Sequence, residues 1–145
     1  MPDWVIGAEM IMRTSDANAV HGFSEEYFMY TEDMDLCKKI QTFLNKRIVF
    51  NADVSLIHLG GASEVQNVNY IKQKKLFQNI LIFCEKFYGL KEADKTLRNM
   101  QMCYYIRLLL LKSLYYKENR NYMIEHDKTI LSFLKEVHEN RILSR

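Results

Sequence analysis

The feature that most constrains this chain is a change of hydrophobic period near residue 64. Before it, apolar residues alternate in short runs; after it, they recur at helical spacing almost to the end. In "WVIGAEMIMR" (4–13), Trp4, Ile6, Ala8, Met10 and Met12 share one parity and Val5, Gly7, Glu9, Ile11 and Arg13 the other, the period of a strand. "KRIVFN" (46–51) and "DVSLIHL" (53–59) read as two more short strands, closed by the turn "GGAS" (60–63). Between them, Ser15 is placed to cap a short helix running to Val20, with His21-Gly22 as its stop. Thr31 is placed to cap a longer helix with the stripe Leu36, Cys37, Ile40, Phe43 and Leu44.

Beyond Val65 three stripes follow. The first is Ile71, Leu76, Phe77, Ile80, Leu81, Cys84, Phe87 and Tyr88, ended by Gly89. The second is Leu97, Met100, Tyr104, Leu108, Leu111 and Tyr115, and the third Met123, Ile130, Leu134 and Val137. One Pro and five Gly leave little room for the tight turns of an all-β fold. The expectation is an α/β class (α+β as the chain stands): a partial sheet of short strands in 1–63, then a three-helix region in 64–145 packed on it.

Composition excludes several classes. The 145 residues suffice for a real core, and 48% hydrophobic content excludes a disordered chain. A formal charge of +2 argues against a dedicated nucleic-acid binder. Cys37, Cys84 and Cys103 are odd in number and lack metal-ligand spacing, as expected of reduced thiols in a cytoplasmic protein. The opening residues lack the pattern of a signal peptide, and the longest apolar run, 104–116, is broken by Arg107 and Lys112.

The chemistry-bearing stretch is "EEYFMYTEDMDLCKK" (25–39). Glu32, Asp33 and Asp35 open a helix, where acids suit the positive end of the dipole. The same position beside a pocket would let a carboxylate take a proton from a hydroxyl. Tyr27, Phe28 and Tyr30 would supply an aromatic wall for a sugar ring. Both readings stay open on the residues alone. His58, at a strand end before Gly60-Gly61, is either structural or a metal or phosphate contact. Trp4 reads as core, and Gly7-Ala8 as a place where a ligand or backbone comes close.

"DWVIGAEMIMR", "GFSEEYFMYTEDMDLCKKI" and "KRIVFNADVSLIHLGGAS", in that order and spacing, resemble the C-terminal half of family 2 inverting glycosyltransferases, in particular the bacterial rhamnosyltransferase-like group of cell-surface polysaccharide synthesis. The resemblance covers residues 3–63. It implies a GT-A fold, a nucleotide-diphosphate-sugar donor, a saccharide or lipid-linked acceptor and a divalent metal, Mn²⁺ or Mg²⁺. It also implies Asp33 as general base with Glu32 beside it, His58 on the metal or diphosphate side, and Trp4, Gly7, Ala8 and Tyr30 lining the sugar site. Asp33-Met34-Asp35 spells the family's D-x-D metal motif but opens a helix instead of ending a strand. His21, Asn45-Lys46 and Glu9 also depart from the pattern. The family's nucleotide-binding half precedes the motifs seen here, so the isolated chain is expected to be inactive.

The alternative is a non-catalytic interaction module derived from such an enzyme, dimerising through an exposed sheet edge. A further reading is peripheral contact with the inner face of a membrane through Lys72, Lys74, Lys75 and Lys86. No nucleic-acid partner is expected.

Overall fold

The computed structural model describes residues 2–27, 29–58, 69–113 and 119–143. They form two compact units, Met1–Gln66 and Asn67–Arg145. Five helices are described: α1 (Thr14–Ala19), α2 (Glu32–Leu44), α3 (Asn69–Tyr88), α4 (Leu90–Ser113) and α5 (Arg120–Leu143).

The first unit is built around α2. Leu36, Cys37 and Ile40 form its apolar face and are buried with Val20 and Ile48. Val5, Met10, Met12 and Leu44 pack against this cluster. The helix ends on Asn45 in the left-handed region (φ 52°), and the Lys46 N–H reaches back to the Ile40 carbonyl at 3.3 Å. The left-handed residue ends the helix and turns the chain out of it. Lys46 Nζ then meets Asp16 Oδ1 at 2.5 Å, tying the chain after α2 to α1.

The α/β expectation is overturned. Among the described residues there is no strand: 4–13 and 46–58 run without a hydrogen-bonded ladder outside α1. The partial GT-A sheet is therefore not formed, and the exposed sheet edge proposed for dimerisation goes with it. Alternation in sequence does not by itself make a strand, and here it does not mark a single buried face; the segment packs on the α2 cluster without a strand partner. Val5, from one parity, and Met10 and Met12, from the other, both pack on the α2 core, while Trp4, Ile6 and Ala8 stay exposed. Capping differs too. α1 begins on Arg13, with no side-chain cap, so Ser15 lies inside the helix. Leu59, the "GGAS" turn, Val65, Phe28 and Tyr115 lie outside the described residues.

The second unit is three helices, with α4 packed against both α3 and α5 and α3 touching α5. Leu81, Leu97, Tyr104, Ile130, Phe133 and Leu134 form its buried cluster, flanked by Phe77, Met100, Leu131 and Val137. Phe77 meets Tyr104 edge to face, centroids 5.8 Å apart. The joint between α3 and α4 is the single residue Gly89 at φ 85°, a conformation that costs any side-chain-bearing residue. Its N–H bonds to the Glu85 carbonyl at 3.0 Å and its carbonyl accepts from Ala93 at 3.2 Å, so one residue both ends α3 and starts α4.

Polar ties cross the helices at two levels. Asp127, wholly buried on α5, meets Arg107 Nε of α4 at 2.8 Å and His126 Nδ1 at 3.1 Å. Arg141 near the end of α5 reaches Glu85 of α3 at 2.9 Å and Asp94 of α4 at 3.3 Å.

Candidate functional site

The first turn of α2 is entered through an unusual backbone. Tyr30 and Thr31 are both left-handed, at φ 68° and 79°. That region is disfavoured for any L-residue and more so for a β-branched Thr. Thr31 holds the N-cap position, yet its side chain makes no cap bond; its Oγ1 is buried and without a partner. The Thr31 carbonyl still opens the helix, accepting from the Asp35 N–H at 2.9 Å.

The three carboxylates that follow have three different environments. Asp33 is half-buried and fixed by backbone donors: its Oδ2 accepts from the Gly7 N–H at 3.0 Å and its Oδ1 from the Met34 N–H at 2.8 Å. A carboxylate oxygen has two lone pairs, so each Asp33 oxygen keeps one acceptor position while the group is held in orientation. Asp35 is fully buried and structural. It accepts from Ser24 Oγ at 2.5 Å and faces Lys39 Nζ at 3.5 Å. Lys39 also donates to the Gly22 carbonyl at 2.6 Å and to Ser24 Oγ at 3.0 Å, clamping the 22–24 loop onto α2. Burial, with the Asp35 and Glu26 carboxylates nearby, pushes the Tyr27 phenol well above its usual range. Glu32 is half-buried, and its Oε2 is buried without a hydrogen-bond partner.

Asp33 and Asp35 sit two residues apart on a helix, so they point to different sides and engage different partners. They do not act as a metal-binding pair. His58 is exposed. Among the described residues no three His, Cys, Asp or Glu side chains gather as a metal-ligand set. The described residues therefore do not fit the divalent metal expected from the resemblance.

The structure does bring Gly7 to Asp33. A Cβ at Gly7 would lie 3.5 Å from the Asp33 Cβ, ordinary van der Waals contact, so the contact is close without excluding Ala. On either side of Gly7 in the chain, Trp4, Ile6 and Ala8 line an open apolar groove of about 990 Å³, with Ile48, Phe50 and Leu56 among its other walls. Trp4 is 41% exposed, so it belongs to the groove wall and not to the core. Tyr30 is half-buried beside Thr31, while Tyr27 is core, and Phe28 lies outside the described residues.

Sequence reasoning missed the Ser24–Asp35–Lys39 clamp. Its local signal was an acid four residues before a base on a helix. The contacts to Gly22 and Ser24 span 11 to 17 residues and left no local trace.

A stretch of 38 residues in this chain is 50% identical to Rhamnosyltransferase WbbL of Escherichia coli (strain K12), covering 26% of this chain and 14% of that protein. No known family profile matches the chain, and no solved structure matches it. A short part of the chain is thus glycosyltransferase-like in sequence.

Proposed function

We propose that the first unit serves the acceptor side of a glycosyl transfer, with Asp33 as the general base. The observation that carries this reading is the Asp33 carboxylate, held by the Gly7 and Met34 amides at the start of α2, with an acceptor position left on each oxygen. The partial likeness to a rhamnosyltransferase supports it. In the proposed step an acceptor hydroxyl gives its proton to Asp33 as its oxygen attacks the anomeric carbon of a nucleotide-diphosphate sugar. The bond to the diphosphate breaks with its electron pair going to that leaving group, and the anomeric centre inverts. Trp4 and Ala8 border the place where the acceptor sugar lies, and Tyr30 and Glu32 contribute from the α2 entrance. The acceptor is a saccharide or lipid-linked saccharide of cell-surface polysaccharide.

Acceptor binding tests this without requiring turnover. Titrating ¹⁵N-labelled protein with rhamnose-containing oligosaccharides should move the Gly7 and Met34 amide resonances, since both N–H groups report directly on Asp33. Asp33→Asn should remove that response while leaving the other resonances in place. Resonances of Gly7 and Met34 that stay still through the whole titration would sink the proposal.

A second reading is favoured by the exposed apolar side chains Ile11 (92%), Phe50 and Ile57: a non-catalytic module that binds a protein partner. In that reading Asp33→Asn changes neither binding nor fold, whereas Phe50→Ser weakens capture of the partner.

A further inference from the structure

α4 has two apolar faces where a bundle helix needs one. Leu97, Tyr104, Leu108 and Leu111 are buried, Leu97 and Tyr104 in the core shared with α3 and α5. At about 100° per residue, Met102, Tyr105, Ile106 and Leu109 fall on the opposite side. These four side chains are 56, 59, 48 and 51% exposed. The same outward arc carries exposed Lys91, Lys95 and Arg98 before the stripe and Lys112 after it. A continuous apolar stripe bordered by cations at both ends is not a merely solvated helix face.

Charge decides among occupants. Residues 67–145 contain 15 Lys and Arg against 8 Asp and Glu, a formal net of +7. A second copy would bring the same positive charge to the same stripe and be repelled. Nucleic acid would satisfy the cations and leave Ile106 and Leu109 against phosphates. An anionic lipid interface takes both: acyl boundary for the stripe, head groups for the flanking cations. We propose that the outer face of α4 is a docking surface for an anionic membrane, on which the helix lies flat. Tyr105, apolar in its ring and polar at its tip, suits the head-group level. Among the described residues no helix is long and apolar enough to cross a membrane, in keeping with a helix that lies on it.

The cations of this face are well placed for the task. Lys95 pairs with Glu92 at 3.3 Å, a solvated contact of little strength that an anionic surface outcompetes. Arg107 is committed to Asp127 and is not part of the face. The lysines of α3 are engaged differently: Lys74 sits over the Tyr70 and Phe133 rings at 5.6 and 5.2 Å, and Lys86 over Phe87 at 5.5 Å. The docking face is therefore assigned to α4 and not to the lysine set of α3, and it is independent of any reaction at Asp33.

The test is co-sedimentation of the full chain with vesicles of phosphatidylcholine alone and of phosphatidylcholine mixed with phosphatidylglycerol. Binding is expected only to the mixed vesicles, and it should fall as salt is raised. Leu109→Glu should lower partitioning on the order of tenfold or more by placing a charge in the stripe. Neutralising Lys91, Lys95 and Arg98 together should lower it roughly a hundredfold. All four positions are exposed, so helical circular dichroism should stay unchanged, and the charge variant tests the face even if Leu109→Glu were to fold poorly. Equal binding to both vesicle types, or variants that bind like the parent, would overturn the proposal. So would a dimer that Leu109→Glu dissolves in the absence of vesicle binding, which would give the face to a second copy.

Discussion

The carboxylates at the start of α2 show how much one residue's surroundings decide. Asp33 and Asp35 differ by two positions, yet one is oriented by backbone amides with acceptor capacity to spare and the other is consumed by Ser24 and Lys39. In any preparation that transfers sugar, Asp33→Asn should lower kcat by roughly a hundredfold or more with little change in KM, the usual scale for losing a general base. Asp35→Asn should instead destabilise the fold and shift the melting temperature, because it leaves Lys39 buried opposite a neutral amide. Thiols give a second check at this scale. Burial pushes the Cys37 thiol up, whereas Cys103 is exposed. A disulfide reagent at neutral pH should titrate Cys103 at once and Cys37 only after denaturation. A raised folded value means that the stabilising, protonated form is complete below the thiol's usual range. Stability should therefore hold through neutral pH and fall as pH rises past about 9, with Tyr27 adding to the loss further up, as a urea-melt series across pH would record. The acids themselves were plain in the sequence, and so was their place at a helix start. What could not be read was which of them meets Gly7, because that contact spans 26 residues and leaves no local pattern.

At the scale of elements, helical periodicity was legible and alternation misled. Leu81, Leu97, Tyr104, Ile130 and Leu134 all belong to predicted stripes and all reach the core of the second unit. Ile71 and Tyr88, from the same stripes, are exposed, since a 3.6 period extended to helix ends overruns the zone that neighbouring helices cover. Residues 4–13 and 46–58 carry period-two patterns without forming a ladder among the described residues. A strand is a property of two segments, and a sequence pattern reports on one. The tie between α4 and α5 is testable. Arg107→Leu leaves the wholly buried Asp127 with the His126 ring nitrogen as its remaining contact across 3.1 Å. Because Arg107 is nearly half exposed and partly screened, the expected loss is about 1–3 kcal/mol in chemical denaturation. A loss below a few tenths would mean that Asp127 is held by other means.

For the molecule as a whole, the overall charge of +2 conceals two opposed halves. Residues 1–66 contain 5 Lys and Arg against 10 Asp and Glu, a formal net of −5, while residues 67–145 carry +7. Separated by cleavage between the units, the two pieces should bind opposite ion exchangers at neutral pH; co-elution would show that they remain associated. The joint at Gly89 carries a consequence of another kind. A hairpin of two long helices closed by one residue has almost no loop entropy to overcome, so most of its contacts join residues close in sequence. Speed of assembly then rests on a single dihedral angle: Gly89→Ala would act on the rate at which the helical unit forms more than on the rate at which it comes apart.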